Sequence, residues 1–107
     1  MTLDKDKAGQ EGASGSHPPH LILFVVGDEP NSRQARQNME HLREIIEESV
    51  EYEVIDVLEN FQTALDHDIL ATPALVRARP APQLTILGNL SDTKRVMALL
   101  GYKEPAQ

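Results

Sequence analysis

Two spacings of apolar side chains alternate along this chain. Leu21 to Val26, "LILFVV", is apolar at every position, the pattern of a strand covered on both faces in a parallel sheet. Gly27 and Pro30 end it. Ala35, Met39, Leu42, Ile45 and Ile46 then recur at three- and four-residue intervals, which predicts a one-sided helix running to about Val50, with Asn31 and Ser32 as N-cap candidates. "YEVIDVL", Tyr52 to Leu58, reads as a second strand, reached through a helical crossover and therefore parallel to the first. Phe61, Leu65 and Ile69 lie one turn apart behind Asn60 and predict a short helix capped by that asparagine. "ALVRA" and "LTIL" are strand-like runs joined by "RPAPQ", a connection that suits an antiparallel pair. Gly88 ends the last strand, Ser91 is placed as the cap of a closing helix buried through Val96, Leu99 and Leu100, and Gly101 stops it. The predicted order is β-α-β-α-β-β-α.

That order is the layout of a thioredoxin-like α/β domain, with a four-stranded mixed sheet between helices. In that fold a cis proline commonly opens the third strand, and Thr72-Pro73 stands at that place. Proline there leaves the first strand position without an amide hydrogen to satisfy, which is a sufficient backbone reason for it. The loop also faces substrates or partners in many such domains.

Length and composition narrow the function. The chain's 107 residues suffice for one compact domain, expected over 21–102. Residues 1–20 mix Gly, Ser, Pro and charge with almost no apolar side chains, so they are expected to form a disordered N-terminal tail, and 103–107 a short C-terminal one. His17 and His20 lie in that tail without further ligands at fixed spacing, which favours titrating side chains over a metal site. A net charge of −7 argues against nucleic acid and anionic membrane surfaces as partners. The six-residue apolar run is too short to span a bilayer and lacks a basic flank, which fits a cytoplasmic protein.

Cysteine is absent. This removes disulfides, zinc thiolates, thiol nucleophiles and dithiol exchange together. At the start of the first helix, where thioredoxins carry two cysteines, the chain has "GDEPNS", Gly27 to Ser32. The acidic series Glu40, Glu44, Glu47, Glu48, Glu51 and Glu53 reads as a solvated face with Arg36, His41 or Arg43 as pairing partners, since calcium-loop spacing is missing. Asp66, His67 and Asp68 are adjacent on a helix and diverge, so His41 and His67 are read as surface residues. Ser32, Ser49 and Ser91 are explained by capping or exposure, and no nucleophile elbow or phosphate loop occurs. No catalytic set, metal or cofactor is expected.

"GDEPNSRQA", "YEVIDVLEN", "ILATPALVRARPAP" and "LGNLSD" together resemble the KaiB family, over about residues 21 to 100, and less closely the KaiB-like N-terminal domain of the sensor kinase SasA. The resemblance implies a non-enzymatic, bacterial, cytoplasmic module that binds the KaiC ring ATPase and alters the timing of its phosphorylation or ATP hydrolysis, in a circadian or stress-related role. It also implies other clock or kinase partners, a possible homo-oligomer, and an alternative βαββααβ packing in which the second half of the sequence is rebuilt. The helical spacing of Ser91 to Leu100 and the composition of "LTIL" favour the thioredoxin-like arrangement.

Carried over to matching positions, the resemblance makes Leu58, Glu59, Asn60, Phe61, Gln62, Thr72 and Pro73 the candidate partner-binding residues, and Gly88, Asn89 and Ser91 the joint before the last helix. Two departures stand out. Family members often read GDLS where this chain has Gly88-Asn89-Leu90-Ser91, and LKNPQ where it has Leu58 to Gln62. Glu59 therefore replaces a basic residue and disfavours an acidic docking surface. Phe61, in place of proline, is either a core residue of the second helix or an exposed anchor; its residue type favours the core.

The free edge of the sheet is expected at the second strand, offering amides, carbonyls and a few apolar anchors. Arg77, Arg79, Lys94 and Arg95 concentrate basic charge in the second half, where it could orient a partner. Two other readings remain: the sensory domain of a SasA-type histidine kinase, and a cysteine-free thioredoxin-fold enzyme whose turnover would depend on Asp28 or Ser32.

Overall fold

The computed structural model describes residues 18–46 and 48–102. Most of the expected N-terminal tail with His17, the expected C-terminal tail, and Glu47 lie outside the described residues. The element order is β1 (His20–Val25), α1 (Pro30–Ile45), β2 (Glu51–Asp56), α2 (Phe61–Asp66), β3 (Ala74–Arg79), β4 (Leu84–Leu87) and α3 (Thr93–Leu100). The sheet runs β2-β1-β3-β4, with β1 parallel to β2 and antiparallel to β3, and β4 antiparallel to β3. This is the predicted four-stranded mixed sheet in its thioredoxin-like order, not the alternative packing. The Thr72-Pro73 bond is cis, as are Arg79-Pro80 and Ala81-Pro82.

β1 is buried along Leu21–Val25 because both faces of the sheet are covered. Leu21, Leu23 and Val25 meet Ala35, Met39 and Leu42 of α1 and Val96, Met97 and Leu100 of α3 on one face. Ile22 and Phe24 meet Ala64, Ile69, Ala74 and Val76 on the other. The first face carries the 16-residue α1 and the 8-residue α3; the second carries only the 6-residue α2.

Several boundaries and orientations differ from the sequence expectation. His20 is the first residue of β1 rather than part of the tail, and its Nε2 lies 2.8 Å from Glu53. Neither Asn31 nor Ser32 caps α1. Glu29 does, its carboxylate accepting the Ser32 N–H at 2.9 Å, because Pro30 has no amide hydrogen to satisfy and its fixed φ suits the first helical position. α1 stops at Ile45, where Ile46 turns extended at φ −71°, ψ 118°, short of Val50. β2 ends at Asp56, and residues 57–59 form a turn.

At α3, Asp92 rather than Ser91 is the cap, accepting the Arg95 N–H at 3.1 Å. The buried side of that helix is Val96, Met97 and Leu100, with Leu99 exposed. Asn60 occupies the N-cap position of α2 but its side chain makes no capping bond. Phe61 and Leu65 are exposed there and Ala64 is the buried residue. Ala64 and Ile69 supply this segment's buried contacts with Ile22, Phe24, Ala74 and Val76. His67 is half-buried, its ring 5.6 Å from that of Phe24 and its Nδ1 3.0 Å from the Thr63 carbonyl.

Candidate functional site

The candidate segments gather at one end of the sheet. β1 and β2 are parallel, so the turns after them, 26–29 and 57–60, leave from the same end. β3 runs the other way and starts there just after Pro73, and β4 finishes there just before Gly88. Asp56 ties the first two turns together, its Oδ1 accepting the Gly27 N–H at 3.1 Å and the Leu58 N–H at 3.0 Å. The Gly88 N–H donates to the Pro73 carbonyl at 3.0 Å, joining the cis-proline loop to the end of β4.

Gly88 (φ +107°) and Leu90 (φ +66°) both adopt left-handed backbone, which leucine rarely does; Leu90 is held there by burial of its side chain. Asn89 clasps this joint to α1. Its carbonyl accepts the Asn38 Nδ2 at 2.7 Å, and its Oδ1 accepts the Ser91 N–H at 3.1 Å. Ser91 is exposed and not a helix cap.

Within this frame the predicted residues divide. Leu58 is 72% exposed and Phe61 66%, and Glu59, Asn60 and Gln62 are exposed beside them. Gln62 is oriented along α2 by its bond to Asp66 at 2.9 Å. Thr72 is half-buried and Pro73 buried, so the proline supports the loop rather than offering itself for contact. Two apolar residues without a periodic pattern to mark them, Leu70 (94% exposed) and Leu87 (61%), are also on the surface.

Polar side chains stand at the position equivalent to the thioredoxin cysteines. Ser32 is fully buried, its hydroxyl accepting the Val26 N–H at 3.0 Å, while Asp28 pairs with Arg33 at 3.3 Å on the surface. Carboxylate hydrogen bonds from the backbone N–H groups of Ser32 and Asn31 hold the Glu29 pKa below its ordinary value. Among the described residues no group of three His, Asp or Glu side chains could hold a metal ion.

Four members of the acidic series are engaged: Glu40 with Arg43 at 3.2 Å, Glu51 with Arg79 at 2.7 Å, Glu53 with His20 at 2.8 Å, and Glu48 with the Tyr102 hydroxyl. Arg77 bonds the carbonyls of Leu100 and Pro82, so it and Arg79 serve the fold rather than a basic docking patch. Burial, then the nearby Glu40, pushes the Tyr52 phenol up to about 12, with the Arg43 guanidinium 4.8 Å over its ring. Among the described residues no helix is long and apolar enough to cross a membrane.

Fold and site together define a thioredoxin-like domain without thiols, carrying exposed apolar side chains at the end of the sheet where the redox site of that fold lies. The KaiB domain family matches residues 22–102. The chain is 44% identical over 78 residues to the circadian clock oscillator protein KaiB of Acaryochloris marina, covering 72% of this chain and 75% of that one. It is 41% identical over 78 residues to the protein of the same name from Synechococcus elongatus, covering 72% and 76%. The chain belongs to the KaiB family.

Among solved structures it is similar to the N-terminal domain of Synechococcus elongatus SasA, at a TM-score of 0.66 and 22% identity, covering 100% of this chain and 99% of that one. It is also similar to chloroplastic thioredoxin z, at 0.63 and 18%, covering 80% and 79%. At these identities both likenesses concern the fold.

Proposed function

We propose that this protein is a non-enzymatic clock-type regulator that docks on a KaiC-type ring ATPase in the bacterial cytoplasm and modulates its phosphorylation and ATP-hydrolysis cycle. Residues Leu58 to Gln62 form the contact, with Thr72 and Pro73 shaping the loop beside them. The observation that carries this reading is the exposure of Leu58 and Phe61 on a KaiB-family domain, two large apolar side chains on neighbouring positions that the protein's own core leaves out. Glu59 between them directs docking toward a neutral or basic surface. The Gly88–Ser91 joint, with left-handed backbone at Gly88 and Leu90, is where the second half of the chain would rearrange if the alternative packing were adopted.

The test is co-elution with the KaiC-type ATPase of the same organism, held in different nucleotide and phosphorylation states. A state-dependent shift in gel filtration, lost in the Leu58→Ala, Phe61→Ala double variant, is expected. No shift in any state would sink the proposal. The likeness to the SasA domain motivates a second reading, a KaiB-like sensory module of a histidine kinase; it requires that a kinase core follow in the same reading frame.

A further inference from the structure

β4 forms one edge of the sheet and reads Leu-Thr-Ile-Leu, with no charged residue from Pro80 through Leu90. It therefore lacks the charges that commonly guard a free strand. The Gly88 N–H donates to Pro73, and pairing of Ile86 with Leu75 and of Leu84 with Arg77 continues that ladder on alternate residues. The N–H and C=O of Thr85 and Leu87 consequently point away from β3, toward solvent.

The side chains of the same two residues share a face with Val76 and Ala74, their partners on β3, and line a groove of about 260 Å³. Segment 67–71 is the facing wall, and the two ends of the groove differ in chemistry. At one end the Gln83 Nε2 donates to the His67 carbonyl at 3.2 Å, next to Asp68. The Asp68 carboxylate is exposed and has no ionic or hydrogen-bonded partner among the described residues. At the other end, where the chain turns into β3 opposite Leu87, the exposed Leu70 and Leu87 flank an apolar space floored by Ile69.

We propose that β4 and this groove take an extended, basic peptide segment as an added antiparallel strand, reading an apolar side chain followed two positions later by lysine or arginine. The peptide residues opposite Leu87 and Thr85 each exchange N–H to C=O bonds with them. Antiparallel direction puts the residue facing Leu87 first, with its side chain on the groove face between Leu87 and Leu70. The residue facing Thr85 follows two positions on, on the same face, at the end where Asp68 supplies the opposite charge. Main-chain bonds give the affinity and the two side chains the selectivity. A net charge of −7 favours a cationic occupant over an acidic one, a second copy of this chain included. The site uses none of Leu58 to Gln62, so it stands or falls apart from the docking proposed above.

The test is an amide NMR titration of the whole protein with a short, end-blocked peptide carrying leucine and lysine two positions apart in a threonine background. The Thr85 and Leu87 amide signals are expected to move saturably, in the Leu58→Ala, Phe61→Ala double variant as in the parent. A matched peptide with glutamate for lysine is expected to bind at least about threefold more weakly. Asp68→Asn keeps a residue tolerant of the left-handed backbone at φ +59° and should abolish that preference. Thr85→Pro removes an outward N–H without breaking an internal bond and should weaken binding at least about tenfold, with far-UV circular dichroism unchanged. Asp68→Asn, which leaves the strand untouched, decides the matter if Thr85→Pro does not fold. The proposal is overturned by the absence of saturable movement, by equal binding of the glutamate peptide, or by a preference that survives Asp68→Asn. Movement of the same amides with protein concentration alone would put a second copy on the edge and overturn it too.

Discussion

Phe61→Ala tests docking separately from folding. A phenylalanine hides about 150–250 Å² when fully buried, and this one is still 66% exposed in the free domain. Docking that covers it would therefore remove roughly 100–160 Å² more, worth about 2.5–4 kcal/mol at about 25 cal/mol per Å². That corresponds to an affinity loss of roughly 60- to 1,000-fold, the range of an interface hot spot. The part already buried supports the fold by only about 1–2 kcal/mol on the same scale. Phe24, fully buried between α2 and the sheet, provides the contrast: Phe24→Ala is expected to cost about 3–5 kcal/mol of stability.

Urea denaturation of both variants and calorimetric titration against the ring ATPase measure the two quantities. If Phe61→Ala destabilised the protein as much as Phe24→Ala, or left the affinity within about threefold of the parent while co-elution persisted, the assignment of Phe61 as an exposed anchor would be wrong.

Other consequences are local. Ser32→Ala leaves the Val26 N–H without its buried acceptor and should cost about 1–3 kcal/mol, read as a lower urea midpoint with an unchanged slope. Gly88→Ala meets nothing within 4 Å, so its cost is the left-handed backbone alone, about 1–3 kcal/mol; a change below about 0.3 kcal/mol would contradict that geometry. Tyr52 is held protonated in the fold up to about 12, against about 10 in the unfolded chain. Its contribution is thus present below pH 10 and lost as pH rises toward 12, so Tyr52→Phe should flatten the fall in stability across that window. An unaltered alkaline profile in Tyr52→Phe would show that other groups dominate there.

The periodicities were enough to read the strand and helix order, the burial of β1 on both faces, the short connection between β3 and β4, and the absence of thiol chemistry. Those features depend on residues near one another in sequence, or on composition alone. The cis form of Thr72-Pro73 was expected from the thioredoxin-like layout, whereas the cis bonds at Arg79-Pro80 and Ala81-Pro82 were not foreseen. Caps were misread where two polar residues competed: Pro30 decided in favour of Glu29, and Asp92 took the place assigned to Ser91. The members of the candidate site were named from family likeness, and which of them face solvent was not legible in the sequence.

That division depended on contacts between distant segments. Phe61, Leu65 and Ile69 have the spacing of a buried stripe, yet only Ile69 is buried, and the six-residue helix meets Ile22 and Phe24 through Ala64. Likewise "LTIL" announces a strand but not that it is an edge, nor that Thr85 and Leu87 turn their amides outward. Period and composition act along the chain, and so they set which elements form. Which side chains are left for a partner is settled only when the elements compete for the same limited interior volume.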